Sequence, residues 1–254
     1  MKTNLCRWAG AVLLALMLGS AGAAQVEKSE RLVNVHDLTT TVAVGDYYLK
    51  QESILAARDF LRRLGVEQNL GGSWNPSNDH WKQAEDAIVS RLMGSAKRDF
   101  SSLEWLSEEW SRLNQAEFTE QDLDGLLTHF GTMAGRKQAM IVDHSIAFHV
   151  ISALALGGKI QHSLPGIEAD RKRMQDLYEI EEREMRFDTE AHQDGNRFAM
   201  SATGKKYFVN AVLKVTGMVS QRLSRTAADL PRRIDPAATE IEAALEGFRK
   251  SGRA

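Results

Sequence analysis

Cysteine is almost absent. A single residue, Cys6, stands among 254, which excludes a disulfide framework or a thiolate metal cluster built within the chain. Proline is scarce as well. Pro76, Pro165, Pro231 and Pro236 each fall in a stretch already rich in glycine, serine, asparagine or charge, so they punctuate helices without kinking them. Neither sign of charge is in excess, with 32 basic against 34 acidic side chains, and a nucleic-acid partner therefore gains no support from a basic surface. Strand patterning is missing too. The one ambiguous stretch, Leu38 to Val44 (LTTTVAV), has β-branched bias but no partner strand elsewhere and reads as part of a helix. No fixed period recurs, which argues against a solenoid.

What is present is enough apolar surface for a core. At 43% hydrophobic and 26% charged residues, the chain is too apolar to stay disordered. The first two dozen residues read as an address. Lys2 and Arg7 precede the apolar run Trp8 to Leu18, and small residues follow at Ala21-Gly22-Ala23-Ala24. That order is a signal peptide over residues 1–24, cleaved after Ala23 or Ala24, and the run reaches only about half the roughly 20 residues a spanning helix needs. Cys6 would leave with it.

From residue 25 onward apolar residues recur at helical spacing between breaks at 65–78, 157–166, 194–204 and 229–236. The expected fold is a single all-α domain, residues 25–254, of about eight helices. Its best-specified part is a core αα-hairpin over residues 118–156. Thr119 and Asp122 form a capping box, Phe118 can staple onto Leu123, and Leu123, Leu126, Leu127 and Phe130 make one apolar stripe. Gly131 is expected to leave the helix in the left-handed conformation before Thr132 caps the next. That next helix carries 12 apolar residues in the 17 from Met140 to Leu156, too many for one stripe, so it should be central. Asp143, His144 and His149 argue against its crossing a membrane.

The pattern Phe118-Thr119, Asp122-Leu123, Leu126, His129-Phe130, Thr132 and Gly135-Arg136-Lys137-Gln138 resembles the hallmark of an exported bacterial family of unknown function with a helical-hairpin motif. The resemblance covers about residues 118–156, with a histidine at 129 where that family usually carries an aromatic. It implies a periplasmic or secreted helical protein and brings no reaction with it.

Four side chains on the hairpin are candidate binding residues: His129 in the motif, Arg136 in the first turns of the second helix, and the adjacent Asp143 and His144. A helix start with a nearby guanidinium can hold an anion, although Arg136 could equally pair with Asp122 or Asp124. His144 is expected on the buried face with Met140, Ala147 and Ile151, Asp143 at its edge, and His149 opposite. An imidazole beside a carboxylate could transfer a proton, or could be a core histidine bonded to a polar neighbour. His144 and His149 are five apart and so lack zinc spacing; no metal, cofactor or catalytic set emerges. Trp74, Trp81, Trp105 and Trp110 crowd into 37 residues and could stack on sugars or fill helix contacts. The expected function is a binding or scaffold module whose partner is a periplasmic protein or cell-wall ligand, with no nucleic acid and no membrane span after the leader. The alternative is a hydrolase acting on cell-wall material.

Overall fold

The computed structural model describes residues 22–100, 103–156, 189–236 and 238–251, with isolated positions between 172 and 183. Residues 1–21, most of the expected signal peptide, and the break expected at 157–166 lie outside the described residues. The protein is all-α, and no strand occurs among the described residues. Its helices are α1 (residues 22–33), α2 (Thr39–Glu67), α3 (Asp79–Phe100), α4 (Leu103–Glu117), α5 (Glu120–Phe130), α6 (Met133–Leu156), α7 (Thr189–Met200), α8 (Ala202–Phe208), α9 (Thr216–Asp229) and α10 (Thr239–Ser251). A π-helix, Val209–Val215, follows α8, and a 3-10 turn, Leu230–Arg233, follows α9. The ambiguous Leu38 to Val44 stretch is helical from Thr39, whose amide and hydroxyl both donate to Asp37 Oδ1 at 3.0 and 2.6 Å.

Contacts group the chain into two compact units, each assembled from separate stretches. The first comprises residues up to Thr40 with Glu104–Gly217. Here α6 packs on α5, α7 and the π-helix, and α8 rests on α5 and α7. The capping box forms as its sequence requires: Thr119 Oγ1 accepts the Asp122 amide at 3.2 Å, and Asp122 Oδ2 accepts the Thr119 amide at 3.0 Å. Leu123, Leu126 and Phe130 are buried, while Leu127 is only half-buried and lies at the margin of the stripe.

The exit from α5 differs from expectation. Gly131 keeps right-handed helical angles, φ −70° and ψ −20°. Thr132 makes the left-handed step unnecessary, because its hydroxyl donates to His129 O at 2.7 Å and accepts the Gly135 amide at 3.0 Å. The glycine that the turn does require is Gly135, where a Cβ would lie 2.1 Å from His129 O. The hairpin closes by backbone approach.

A second difference lies at 194–204. Helix α7 runs through Gly195 and Asn196 to Met200, and the break narrows to Ser201, whose hydroxyl caps α8 by accepting the Gly204 amide at 3.0 Å. Tertiary bonding overrides local propensity there: Gln138 Nε2 donates to Gly195 O at 2.9 Å.

The second unit comprises Thr41–Leu103 and residues from Met218 onward. Its main contact is α3 against α10. Trp74 fills the space below residues 65–78, donating from Nε1 to Leu61 O at 3.0 Å and meeting Trp81 and Phe248 at ring distances of 5.4 and 5.0 Å. Arg233 ties the 3-10 turn to α3 through Asp99 at 2.6 Å and Ser95 at 2.5 Å. No helix among the described residues is long and apolar enough to cross a membrane.

Candidate functional site

The first unit holds a buried polar cluster that begins at the elbow joining α1 to α2. His36 sits in this elbow with its side chain 0% exposed. Its Nδ1 is 2.6 Å from Asp143 Oδ1 on α6, its Nε2 meets the Tyr207 hydroxyl on α8, and its ring stacks on Trp110 of α4 at 4.6 Å. Asp143 Oδ2 accepts the Asp37 amide at 2.9 Å, so both carboxylate oxygens serve the elbow.

Hydrogen-bond chemistry orders the protons. A carboxylate only accepts, so the His36 Nδ1–H donates to Asp143 Oδ1, and Nε2 meets the Tyr207 hydroxyl on the other side of the ring. The Tyr207 hydroxyl stays protonated because burial, and then the Asp143 charge, push its pKa well above the ordinary tyrosine value. The chain Tyr207 to His36 to Asp143 has the order of a proton relay. Its members nevertheless spend their polar atoms on one another, and the arrangement pins the elbow to α4, α6 and α8.

Of the residues singled out in the sequence, Asp143 and His144 exchange their expected places. Asp143 is the buried one, at 5% exposure, and His144 is half-buried. The elbow decides this by supplying a donor on each side of Asp143. His144 lies within electrostatic reach of Asp37, whose carboxylate is held below its ordinary range by the Thr39 hydroxyl and amide, with His144 adding a smaller pull. His149 is exposed and pairs locally, its Nδ1 2.7 Å from Ser145 O.

His129 belongs to a different contact. Its Nε2 lies 2.7 Å from Gln138 Oε1, and its ring lies flat on Phe198 of α7 at 3.6 Å. Burial pushes its pKa below the ordinary histidine value against a weaker opposing effect from Gln138. His129 therefore joins the hairpin to α7 as a neutral ring. Arg136 is exposed, and both carboxylates proposed for it are engaged elsewhere: Asp122 by Thr119 and Thr203, Asp124 by Lys28 at 2.8 Å. Trp74, Trp81 and Trp110 are buried and Trp105 is half-buried, so the first three fill helix contacts.

Among the described residues of this unit, a groove of about 380 Å³ opens between α1 and α4. Glu30, Val33 and Asn34 line one wall and Glu104, Ser111 and Arg112 the other. Gln25 anchors its end, donating to Gln115 O at 3.0 Å and Phe118 O at 2.8 Å, where α4 runs into the hairpin. Lys28 adds ion pairs to Glu120 and Asp124.

Family models, curated proteins and solved structures give no match to this chain.

Sequence reasoning missed His36 and Tyr207. They stand 107 and 171 residues from their partners, Asp143 and His36 respectively, and no local pattern carries that pairing. The one available signal was the buried aspartate demanded by a largely apolar helix, which has to find donors somewhere. Among the described residues no group of three or more metal-ligating side chains converges.

Proposed function

We propose that the chain is an exported helical protein of the hairpin-motif family, working in the periplasm or outside the cell as a binding or scaffold module. The observation that carries this reading is the α1/α4 groove, a solvent-facing polar cleft of about 380 Å³ set beside the start of the hairpin. That volume lies within the range of natural ligand sites, roughly 300 to 1,000 Å³. Gln25 and Lys28 bond to α4 and α5 and so belong to the folded unit, which supports a cleavage site that lies ahead of them. Asp143, one residue through which a hydrolase could act, is engaged in the interior by His36 and the Asp37 amide, which weighs against cell-wall hydrolysis through it.

Two measurements test the reading. Mass spectrometry of the exported fraction should find a chain beginning at Ala24 or Gln25, and an intact Met1 or a lipid-bearing terminus would end the export proposal. A photoreactive group at Ser107 in the groove should crosslink a defined periplasmic protein or cell-wall fragment that the same group at Ser251 does not. Equal labelling from both positions would end the assignment of the groove as the binding surface.

A further inference from the structure

We infer that the solvent side of α8 and the π-helix docks on an anionic membrane surface without crossing it. The balanced charge of the whole chain hides a local imbalance. From Gly195 to Gly217, the last stretch of the first unit, there is no acidic residue, and Arg197, Lys205, Lys206 and Lys214 are all basic. Helical winding sorts this stretch into two sides. Gly204, Tyr207, Asn210, Ala211 and Val215 are buried, whereas Lys205, Lys206, Val209, Leu213 and Lys214 face solvent. Two aliphatic side chains thus stand among lysines on the exposed side, and this surface shares no residue with the α1/α4 groove.

The apolar members are the second observation. Single exposed apolar side chains are ordinary, but Val209 and Leu213 are 53 and 61% exposed and four residues apart, so they lie on one side of the helix. Lysine stems run along apolar surface while their ammonium groups reach outward, which lets the two aliphatic side chains enter a headgroup layer as the lysines meet its phosphates. Two carboxylates reach this side from neighbouring helices. Glu117 on α4 holds Lys214 at 2.6 Å and Lys206 at 3.8 Å, and Asp122 on α5, bonded to Thr119 and Thr203, lies within electrostatic reach of Lys206. Three ammonium groups therefore outnumber them, and exposed ion pairs hold weakly enough for headgroup phosphates to replace them. Composition separates the possible partners. Protein interfaces are depleted in lysine and favour arginine and aromatic residues, and binding to a nucleic-acid backbone gains nothing from exposed valine and leucine. Lysine interleaved with aliphatic residues suits a helix lying in a lipid interface.

The test is flotation of the processed chain, from Gln25 onward, with vesicles of phosphatidylcholine alone or mixed in equal parts with phosphatidylglycerol; the leader is omitted because its apolar run would bind lipid by itself. The chain should float with the mixed vesicles and stay behind with the neutral ones. Val209→Ser with Leu213→Ser should weaken the partition by about tenfold or more, as should Lys205→Gln with Lys214→Gln, at unchanged helicity by circular dichroism. Should the apolar pair fail to fold, Leu213→Ser alone should weaken it by about threefold or more. Val66→Ser removes a still more exposed apolar side chain, in the second unit, and should change nothing. Absence of flotation with the mixed vesicles, equal flotation with the neutral ones, or an unaltered partition in either the apolar or the lysine variants overturns the inference. Polyphosphate bound as tightly, and with indifference to Val209 and Leu213, would show that charge alone is read and overturns the lipid assignment.

Discussion

At the scale of single residues, the buried His36, Asp143 and Tyr207 chain makes the strongest demands. Each member satisfies a polar atom that has no access to water, so removing one strands another. Tyr207→Phe deletes only a hydroxyl yet leaves the buried His36 Nε2 without its hydrogen-bond partner, an expected loss of about 1–3 kcal/mol. His36→Ala leaves the buried Asp143 carboxylate with one donor, and should cost about 3–5 kcal/mol. Urea denaturation of the two single variants and the double variant should give a coupling of about 0.5–3 kcal/mol. Strict additivity would mean that the cluster does not act as a unit.

His129 makes a separate prediction in pH. Burial lowers its folded pKa below the ordinary value, so the unfolded chain takes up the proton first as pH falls. Its contribution is therefore fully present above the unfolded value of about 6.5 and is lost as pH falls through that value toward the folded one. His129→Phe should flatten the fall in stability between about pH 7.5 and 5.5, measured by denaturation at each pH. A fall of unchanged steepness in the variant would show that another group is responsible. Asp122 has the opposite origin and the same outcome in acid: Thr119 hydrogen bonds hold its pKa down, so its stabilisation is present above the unfolded value and fades as pH falls through the folded one.

Among elements, the hairpin of α5 and α6 has the clearest division between sequence-coded and contact-coded features. Thr119→Ala removes a cap and should cost about 1 kcal/mol. Leu126→Ala and Phe130→Ala empty buried sites and should cost roughly 2–5 kcal/mol, with a smaller loss at the half-buried Leu127. Similar small losses at Leu126, Phe130 and Leu127 would contradict a packed stripe. Two glycines in the same hairpin should respond oppositely to alanine. Gly125 has nothing within 4 Å of an added Cβ and lies inside a helix, so Gly125→Ala should stabilise by about 0.5–1 kcal/mol. Gly135 has a backbone oxygen 2.1 Å from that position, so Gly135→Ala should destabilise by about 1–3 kcal/mol or more. Thermal denaturation of the pair checks both signs. The capping box, the stripe and the Thr132 cap were legible because their partners lie within a turn or two. The right-handed exit at Gly131 was not, because Thr132 replaces the bond that a left-handed glycine would have freed.

For the molecule as a whole, the same distinction holds over longer distances. The circular dichroism spectrum should be dominated by helix, and a strand content above about a fifth would contradict the all-α fold. The grouping of residues 41–103 with 218–254 had no trace in composition or punctuation. It arises because α3 finds its apolar partner in α10 and its charge partners in Arg233 and Glu240, each more than a hundred residues away. The tryptophans tell the same story: their crowding was visible in the sequence, but only packing decided that Trp74 would meet Phe248 and Trp110 would carry His36.

Helix type, helix limits near strong caps and the identity of the central helix were determined by the sequence alone, since propensity, periodicity and capping act over a few residues. Which side of α6 became polar, which histidine was buried and where a groove opened were decided only by tertiary structure. Those outcomes depend on how each helix is rotated about its axis. A rotation of about 100°, one residue's worth, exchanges Asp143 for His144 at the interior, and no local preference sets that angle. It was set by the elbow's His36 ring and Asp37 amide, which together give a buried carboxylate the donors it requires.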